Sequence, residues 1–150
     1  MSKKRLSQAF IYSRVSSTDQ VENGQGLRDQ QVRGVNYFVG SLMCKGVELK
    51  ENVKDEGVSA YKVDFFDRPG GKYLASQLDR GDHLIVDKID RLWRSLADFV
   101  RVTQYLEKRG IILHIVSLDG QTISSDNAIG RTCLQMLVIA AELELSLIHI

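Results

Sequence analysis

Two cysteines, three histidines, one tryptophan and one proline are all that this 150-residue chain holds of those four residue types. Cys44 and Cys133 lie far apart, without ligand spacing, in neighbourhoods that read as helical and partly apolar. Plain buried thiols are therefore expected, not a disulfide or a metal site. Histidines and carboxylates nowhere fall at metal-ligand intervals, which disfavours a metal-dependent nuclease, and no metal or cofactor is expected. An excess of one charge is also missing. The formal net charge is +1, so the totals do not announce a nucleic-acid binder, although a local basic surface stays compatible with them. No apolar run reaches membrane-span length and no signal-peptide pattern is present, so a cytoplasmic protein without a membrane partner is expected. Three motifs are absent as well. There is no G-x-x-x-x-G-K-[ST] phosphate loop and no G-x-S-x-G serine. Gly24-Gln25-Gly26 is too short for a dinucleotide fingerprint.

What remains is 43% hydrophobic and 26% charged, a globular mixture of a size that suits one domain, two at most. Residues 1–7 form a basic tail. A strand is expected over Ala9–Tyr12, a polar loop over Ser13–Gly26 and a helix from Leu27 to about Met43. In that helix Leu27, Val35, Phe38, Val39 and Leu42 partly follow helical spacing, and Gly34 interrupts it. A second strand follows at Val47–Val53. Lys54–Gly71 is a long polar stretch of the kind that is functional or mobile. A short helix is expected over Lys72–Asp79 and a strand over His83–Asp87. Trp93–Lys108 reads as a helix with Leu96, Phe99, Val100 and Leu106 as core positions, stopped at Gly110. Ile111–Val116 reads as a strand, Ser117–Asn127 as a polar loop and Gly130–Leu147 as a final helix. The order β-α-β-α-β-α-β-α implies an α/β fold, a mostly parallel sheet with helices on both faces. The final helix is so apolar that it reads either as a subunit contact or as a helix buried on its own sheet. His83 and His114 fall in strands and read as structural or surface residues.

Three clusters could carry chemistry. Tyr12, Arg14, Ser16, Ser17 and Gln20 sit at the end of the first strand, and alternation would turn Tyr12 and Arg14 the same way, with Ser16 following. The C-terminal end of a parallel strand is where α/β proteins usually place their chemistry. A serine there can attack phosphorus while a guanidinium fork holds a nonbridging oxygen. The plainer alternative is a strand end with a polar turn. Asp87 to Ser95 holds Asp90, Arg91 and Arg94 directly after the third strand. Two arginines would stabilise charge growing on phosphate oxygens, and the aspartate would orient them, handle a proton or cap the next helix. Here the alternative is a solvated helix start. Asp55-Glu56-Gly57-Val58-Ser59 and Asp67-Arg68-Pro69-Gly70 form the third cluster. Its Arg68 reads as a residue able to close over the site from a mobile loop, or as part of a charged surface loop.

Together these segments resemble the serine site-specific recombinases, the resolvase and invertase family. The resemblance rests on Tyr12-Ser13-Arg14-Val15-Ser16-Ser17, Asp55 to Ser59, Arg68-Pro69-Gly70 and Asp90-Arg91-Leu92-Trp93-Arg94-Ser95, in order at family-like intervals over residues 8–145. It implies Ser16 as the nucleophile, Arg14, Arg68, Arg91 and Arg94 on the scissile phosphate, and Asp90, Gln20 and Gln30 in support, with Tyr12 and Asp55 nearby. It implies double-stranded DNA as partner and a homodimer assembling to a tetramer. The chemistry would be cleavage through a 5′-phosphoserine, strand exchange and religation without cofactor or metal. The long Ser16–Leu27 interval resembles the large serine integrases and phage or transposon recombinases more than the small resolvases.

On that reading residues 8–127 are the catalytic core and 128–150 begin a long C-terminal oligomerisation helix. The tail departs from the pattern. Members usually carry an arginine shortly after an acidic pair, here Glu142 and Glu144. This chain has Leu145 and ends Ser146-Leu147-Ile148-His149-Ile150, which resembles a translated adapter segment more than native sequence. The helix is expected to be truncated before a DNA-binding region. Two rivals stand beside this reading: a non-cleaving DNA-binding or regulatory protein of the same fold, and an unrelated α/β phosphotransferase or hydrolase of small phosphate esters.

Overall fold

In the computed structural model, residues 6–15, 26–56, 63–88, 96–118 and 121–148 are described. They form a five-stranded sheet flanked by helices. Its strands are β1 (Gln8–Val15), β2 (Glu48–Glu56), β3 (His83–Val86), β4 (Ile112–Leu118) and β5 (Gln121–Ser124). The helices are α1 (Gly26–Ser41), α2 (Pro69–Gln77), α3 (Leu96–Lys108) and α4 (Ala128–Ile148), with single 3-10 turns at Met43–Lys45 and Phe65–Asp67.

The spatial order is β2-β1-β3-β4-β5. β1 pairs in parallel with both β2 and β3, and β3 with β4, while β5 joins β4 antiparallel. The mostly parallel sheet expected from the element order is present. β1 is central because both its faces are apolar. Phe10 and Tyr12 enter one core cluster with Leu84 and Val86, and Ala9 and Ile11 enter the other with Ile85. Burial on two faces is what a parallel sheet asks of its middle strands. Truncating Phe10 to alanine in such a core would cost about 3–5 kcal/mol. The chain steps from β1 to β2 on one side, then crosses to β3 on the other. The direction of winding thus reverses between β1 and β3, and the carboxyl ends of those strands diverge there, where open α/β sheets hold their ligands.

α1 covers one face. Gln30, Gly34 and Phe38 are buried, each four residues from the next, and Leu42 continues the row. A Cβ on Gly34 would lie 2.6 Å from Ile11 Cγ2, so this glycine, a weakness in the sequence pattern, lets α1 approach β1. Val39, an expected apolar-face position, is 54% exposed, because it lies about a third of a turn from the centre of the buried row. The other face is covered by α2, α3 and α4. Phe99 and Leu106 are buried in α3 as expected, Val100 is half-buried, and Val102 adds to the core. Gly110 ends the segment with φ +71°. Asn127 Oδ1 accepts the Gly130 amide at 2.7 Å, capping α4. Leu134 and Ala141 pack inward, while Ile129, Met136, Ile139 and Leu143 stay exposed.

Several sequence expectations are corrected. Gln121–Ser124 is a strand, not loop, because Ile123 pairs opposite Ile115. β2 runs on through Glu56, and α2 begins at Pro69, so the Lys54–Gly71 stretch is largely regular where it is described. Proline fixes the first-turn geometry and loses no needed hydrogen bond there. Cys44 is exposed on the 3-10 turn after α1 and Cys133 half-buried, both as free thiols.

At the amino edge of β3 lies a polar chain. Tyr37 Oη and His114 Nδ1 are 2.6 Å apart, and His114 Nε2 and His83 Nδ1 are 2.8 Å apart. His114 has no exposed surface, and burial, with His83 beside it, lowers its pKa to about 3. Burial likewise lowers that of His83. Both histidines are structural. A groove of about 550 Å³ between α3 and α4, lined among others by Leu106, Ile111, Leu134 and Val138, contains none of the expected site residues.

Candidate active site

The carboxyl ends of β1 and β2 meet the 3-10 turn at Phe65–Asp67, which packs in the same core cluster. In register, Arg14 of β1 stands beside Asp55 of β2, and Tyr12 beside Val53 and Val86. The Tyr12 hydroxyl donates to Asp55 Oδ2 at 2.8 Å and accepts from Arg68 Nη1 at 3.1 Å. The second carboxylate oxygen, Asp55 Oδ1, accepts the Gly70 amide at 2.8 Å. Arg68 Nε donates to the Val63 carbonyl at 3.1 Å, and its guanidinium lies 5.7 Å from the Phe65 ring centroid. Phe65 meets Tyr12 edge-on, with centroids 5.0 Å apart. Tyr12, Asp55, Arg68 and Phe65 are all 3% exposed or less, so this is an interior network and not a surface array.

Local sequence explains the geometry. Arg68 is the N-cap of α2, followed by Pro69 at the first helical position. Gly70 and Gly71 make the first turn close-fitting. A Cβ on Gly70 would meet Asp55 Oδ2 at 2.6 Å, and one on Gly71 would overlap the Phe65 carbonyl oxygen. Two glycines therefore let the helix start against β2 and against the 3-10 turn. Arg68 was expected on a mobile loop or a charged surface loop. It is instead fully buried, because its guanidinium finds a phenol, a carbonyl and an aromatic face inside.

Burial pushes the Tyr12 phenol up; Arg68 pulls the other way and Asp55 adds to the rise. The phenol thus keeps its proton and serves as a bridge, which argues against Tyr12 as a nucleophile. Both Asp55 oxygens are engaged, so Asp55 orients its neighbours and is poorly placed to remove a substrate proton.

Gln30, expected among the supporting residues, reaches β1 from α1. Its amide oxygen accepts the Arg14 N–H at 3.1 Å and its amide nitrogen donates to the Arg14 carbonyl at 3.0 Å. One side chain closes both backbone bonds of the residue before the strand's last. One turn along, Arg33 grips the buried Asp87 with two bonds, 2.9 and 2.7 Å, tying α1 to the end of β3. Of the expected site residues, Tyr12, Asp55 and Arg68 are brought into contact, with Arg14 and Gln30 adjoining along β1. Ser16, Gln20, Asp90, Arg91 and Arg94 lie outside the described residues. Phe65 and Arg33 were missed, and Asp87 was read only as the first residue of its cluster. Phe65 stands three residues before Arg68, and Arg33 three after Gln30.

The family model described as "Resolvase, N terminal domain" matches residues 9–150. This chain belongs to the resolvase family. It is 28% identical to serine recombinase PinQ of Escherichia coli K12 over 143 residues, 95% of this chain and 65% of that protein. The Transposon Tn2501 resolvase of Escherichia coli is also 28% identical, with 95% and 66% covered. The serine recombinase gin of Escherichia phage Mu is 31% identical over 108 residues, 72% of this chain and 51% of that one. The resolvase-family chain thus spans about two thirds of the length of the first two. Among solved structures it is similar to the N-terminal catalytic domain of TP901-1 integrase, with a TM-score of 0.73 and 27% identity over 93% of this chain and 98% of that one. A resolvase family site-specific recombinase from Streptococcus pneumoniae shares the fold, with a TM-score of 0.65 at 21% identity, covering 95% and 91%. The sheet of this resolvase-family member is accordingly the recombinase catalytic-domain fold, as the motifs implied.

Proposed function

We propose that the chain is the catalytic part of a site-specific DNA recombinase in which Ser16 is the nucleophile. Ser16 follows the end of β1, one residue beyond Val15 and two beyond Arg14. The Ser16 oxygen bonds to phosphorus, the bond from phosphorus to the 3′ oxygen breaks, the serine proton is lost and the 3′ oxygen leaves as a hydroxyl. A 5′-phosphoserine ester results. Attack by a 3′ hydroxyl on that ester reverses the step after strand exchange, so no external energy source is needed. Arg14, Arg68, Arg91 and Arg94 carry the phosphate charge, and Asp90 and Gln20 support them. Arg68 is buried in this structure, so its contact with phosphate follows a rearrangement on DNA binding.

The observation that carries the reading is the Tyr12–Asp55–Arg68 network. It gathers three family-motif segments at the carboxyl ends of β1 and β2. The exposed stripe Ile129, Met136 and Leu143, spaced every seventh residue along α4, supports self-association into the dimer and tetramer that recombination requires. The raised phenol pKa supports a serine over a tyrosine nucleophile.

The test incubates the full-length gene product with a random-sequence duplex DNA pool and isolates detergent-resistant protein–DNA adducts. An adduct that disappears in Ser16→Ala is expected. Persistence of the adduct in that variant would exclude Ser16. Turnover of small phosphate esters without any adduct would favour the hydrolase rival.

A further inference from the structure

Besides Tyr12 and Val63, Arg68 is held by Phe65. The Phe65 carbonyl accepts the Arg68 amide at 3.2 Å, and the Phe65 ring faces the Arg68 guanidinium and supports Tyr12. What holds Phe65 is Asp98. Its carboxylate oxygens lie 3.3 and 3.2 Å from the Phe65 amide, and the residue is 2% exposed. A carboxylate is costly to bury unless it is paired or hydrogen-bonded. Asp98 lies in the first turn of α3, where the helix dipole favours its charge. One turn further along α3, Arg101 reaches back to Asp64 at 3.0 Å. Two side chains of one helix therefore grip two successive residues of the turn that delivers Arg68. That helix begins directly after the Asp90–Ser95 segment. The contact thus joins residues that flank two family motifs remote in sequence.

We propose that Asp98 is a positioning residue: by fixing Phe65 it anchors the backbone from which the Arg68 side chain reaches the scissile phosphodiester. This rests on the catalytic reading above, and Asp98 itself touches neither DNA nor the reacting atoms.

The experiment is a double-mutant cycle in the full-length protein on a cleaved duplex recovered from the random pool. It reads the rate of adduct formation at saturating DNA, normalised to folded protein by circular dichroism. Asp98→Ala is expected to slow the adduct about 10–100-fold, with DNA affinity within about twofold. Asp98→Asn keeps one carbonyl acceptor and should fall between. In an Arg68→Ala background, Asp98→Ala should change the rate less than about twofold, because there is no guanidinium left to place. A purely structural residue would give effects that multiply independently of Arg68, and that result would overturn the proposal. So would a loss that merely follows DNA affinity. If Asp98→Ala does not fold, the Asp98→Asn and Arg68→Ala pair carries the same cycle. The cycle is read on the adduct whichever serine forms it. An adduct surviving Ser16→Ala therefore sinks the nucleophile assignment, while independent effects sink only the role of Asp98.

Discussion

Tyr12 and Asp55 are joined across adjacent parallel strands by a 2.8 Å hydrogen bond with both groups out of solvent. The bond turns one carboxylate oxygen toward the phenol and leaves the other for the first turn of α2. It also fixes the phenol oxygen as an acceptor for Arg68. A single hydroxyl therefore connects a strand, its neighbour and a helix start.

Replacing that hydroxyl tests the connection. Tyr12→Phe keeps the ring contact with Phe65 but removes a donor from Asp55 and an acceptor from Arg68. The expected loss in urea unfolding is about 1–3 kcal/mol, the usual cost of stranding buried polar groups. Adduct formation should slow about tenfold or more, since the variant removes the hydroxyl that ties β1, the strand leading into Ser16, to β2 and to the start of α2. A variant as stable and as fast as the parent would show that the network has no such role.

The glycines at the start of α2 make an ordered series. Gly71→Ala sets a Cβ against the Phe65 carbonyl, which is backbone and cannot step aside. Gly70→Ala presses on the Asp55 side chain, which can turn at the cost of its bonds. Gly40, in exposed helix, has open space around it. Gly71→Ala should cost more than Gly70→Ala, each at least about 1–3 kcal/mol, and Gly40→Ala should stabilise by about 0.5–1 kcal/mol. Thermal melts of the three variants check the order, and any other ranking counts against the close packing of α2 on the turn.

The Tyr37–His114–His83 chain makes stability depend on pH. Buried His114 has a folded pKa of about 3, below its ordinary value of 6.5. Between those values the unfolded chain binds a proton that the folded chain refuses. Stability is therefore complete above the unfolded value and is lost as pH falls toward the folded one. From pH 6.5 to 5.0 His114 should remove about 2 kcal/mol, and His83, shifted in the same direction, adds to the loss. Denaturant melts at pH 7.5 and 5.0 should show a smaller difference in His114→Gln. Equal differences in both proteins would place the titration elsewhere.

Much of this molecule is legible in its residues. The apolar runs at Phe10–Tyr12 and Leu84–Val86 are too short for helices and too continuous for half-exposed strands, so a parallel sheet follows from them. The motifs at the strand ends follow from hydroxyls and guanidinium groups gathered where such sheets place ligands. β5 was not legible, because Gln121–Ser124 has one apolar residue and becomes a strand only through its pairing with β4.

The amino-acid sequence by itself determined the alternation of strands and helices, the family and which residue types stand near the sheet edge. Only the tertiary structure decided which partner each takes. Gln30 bonds to backbone 16 residues away, Asp98 to an amide 33 residues away and Arg68 to a phenol 56 residues away. Local preference acts within a few residues along the chain. Bonds across such separations depend on two elements arriving at hydrogen-bond distance with water excluded, and packing of the whole core sets that.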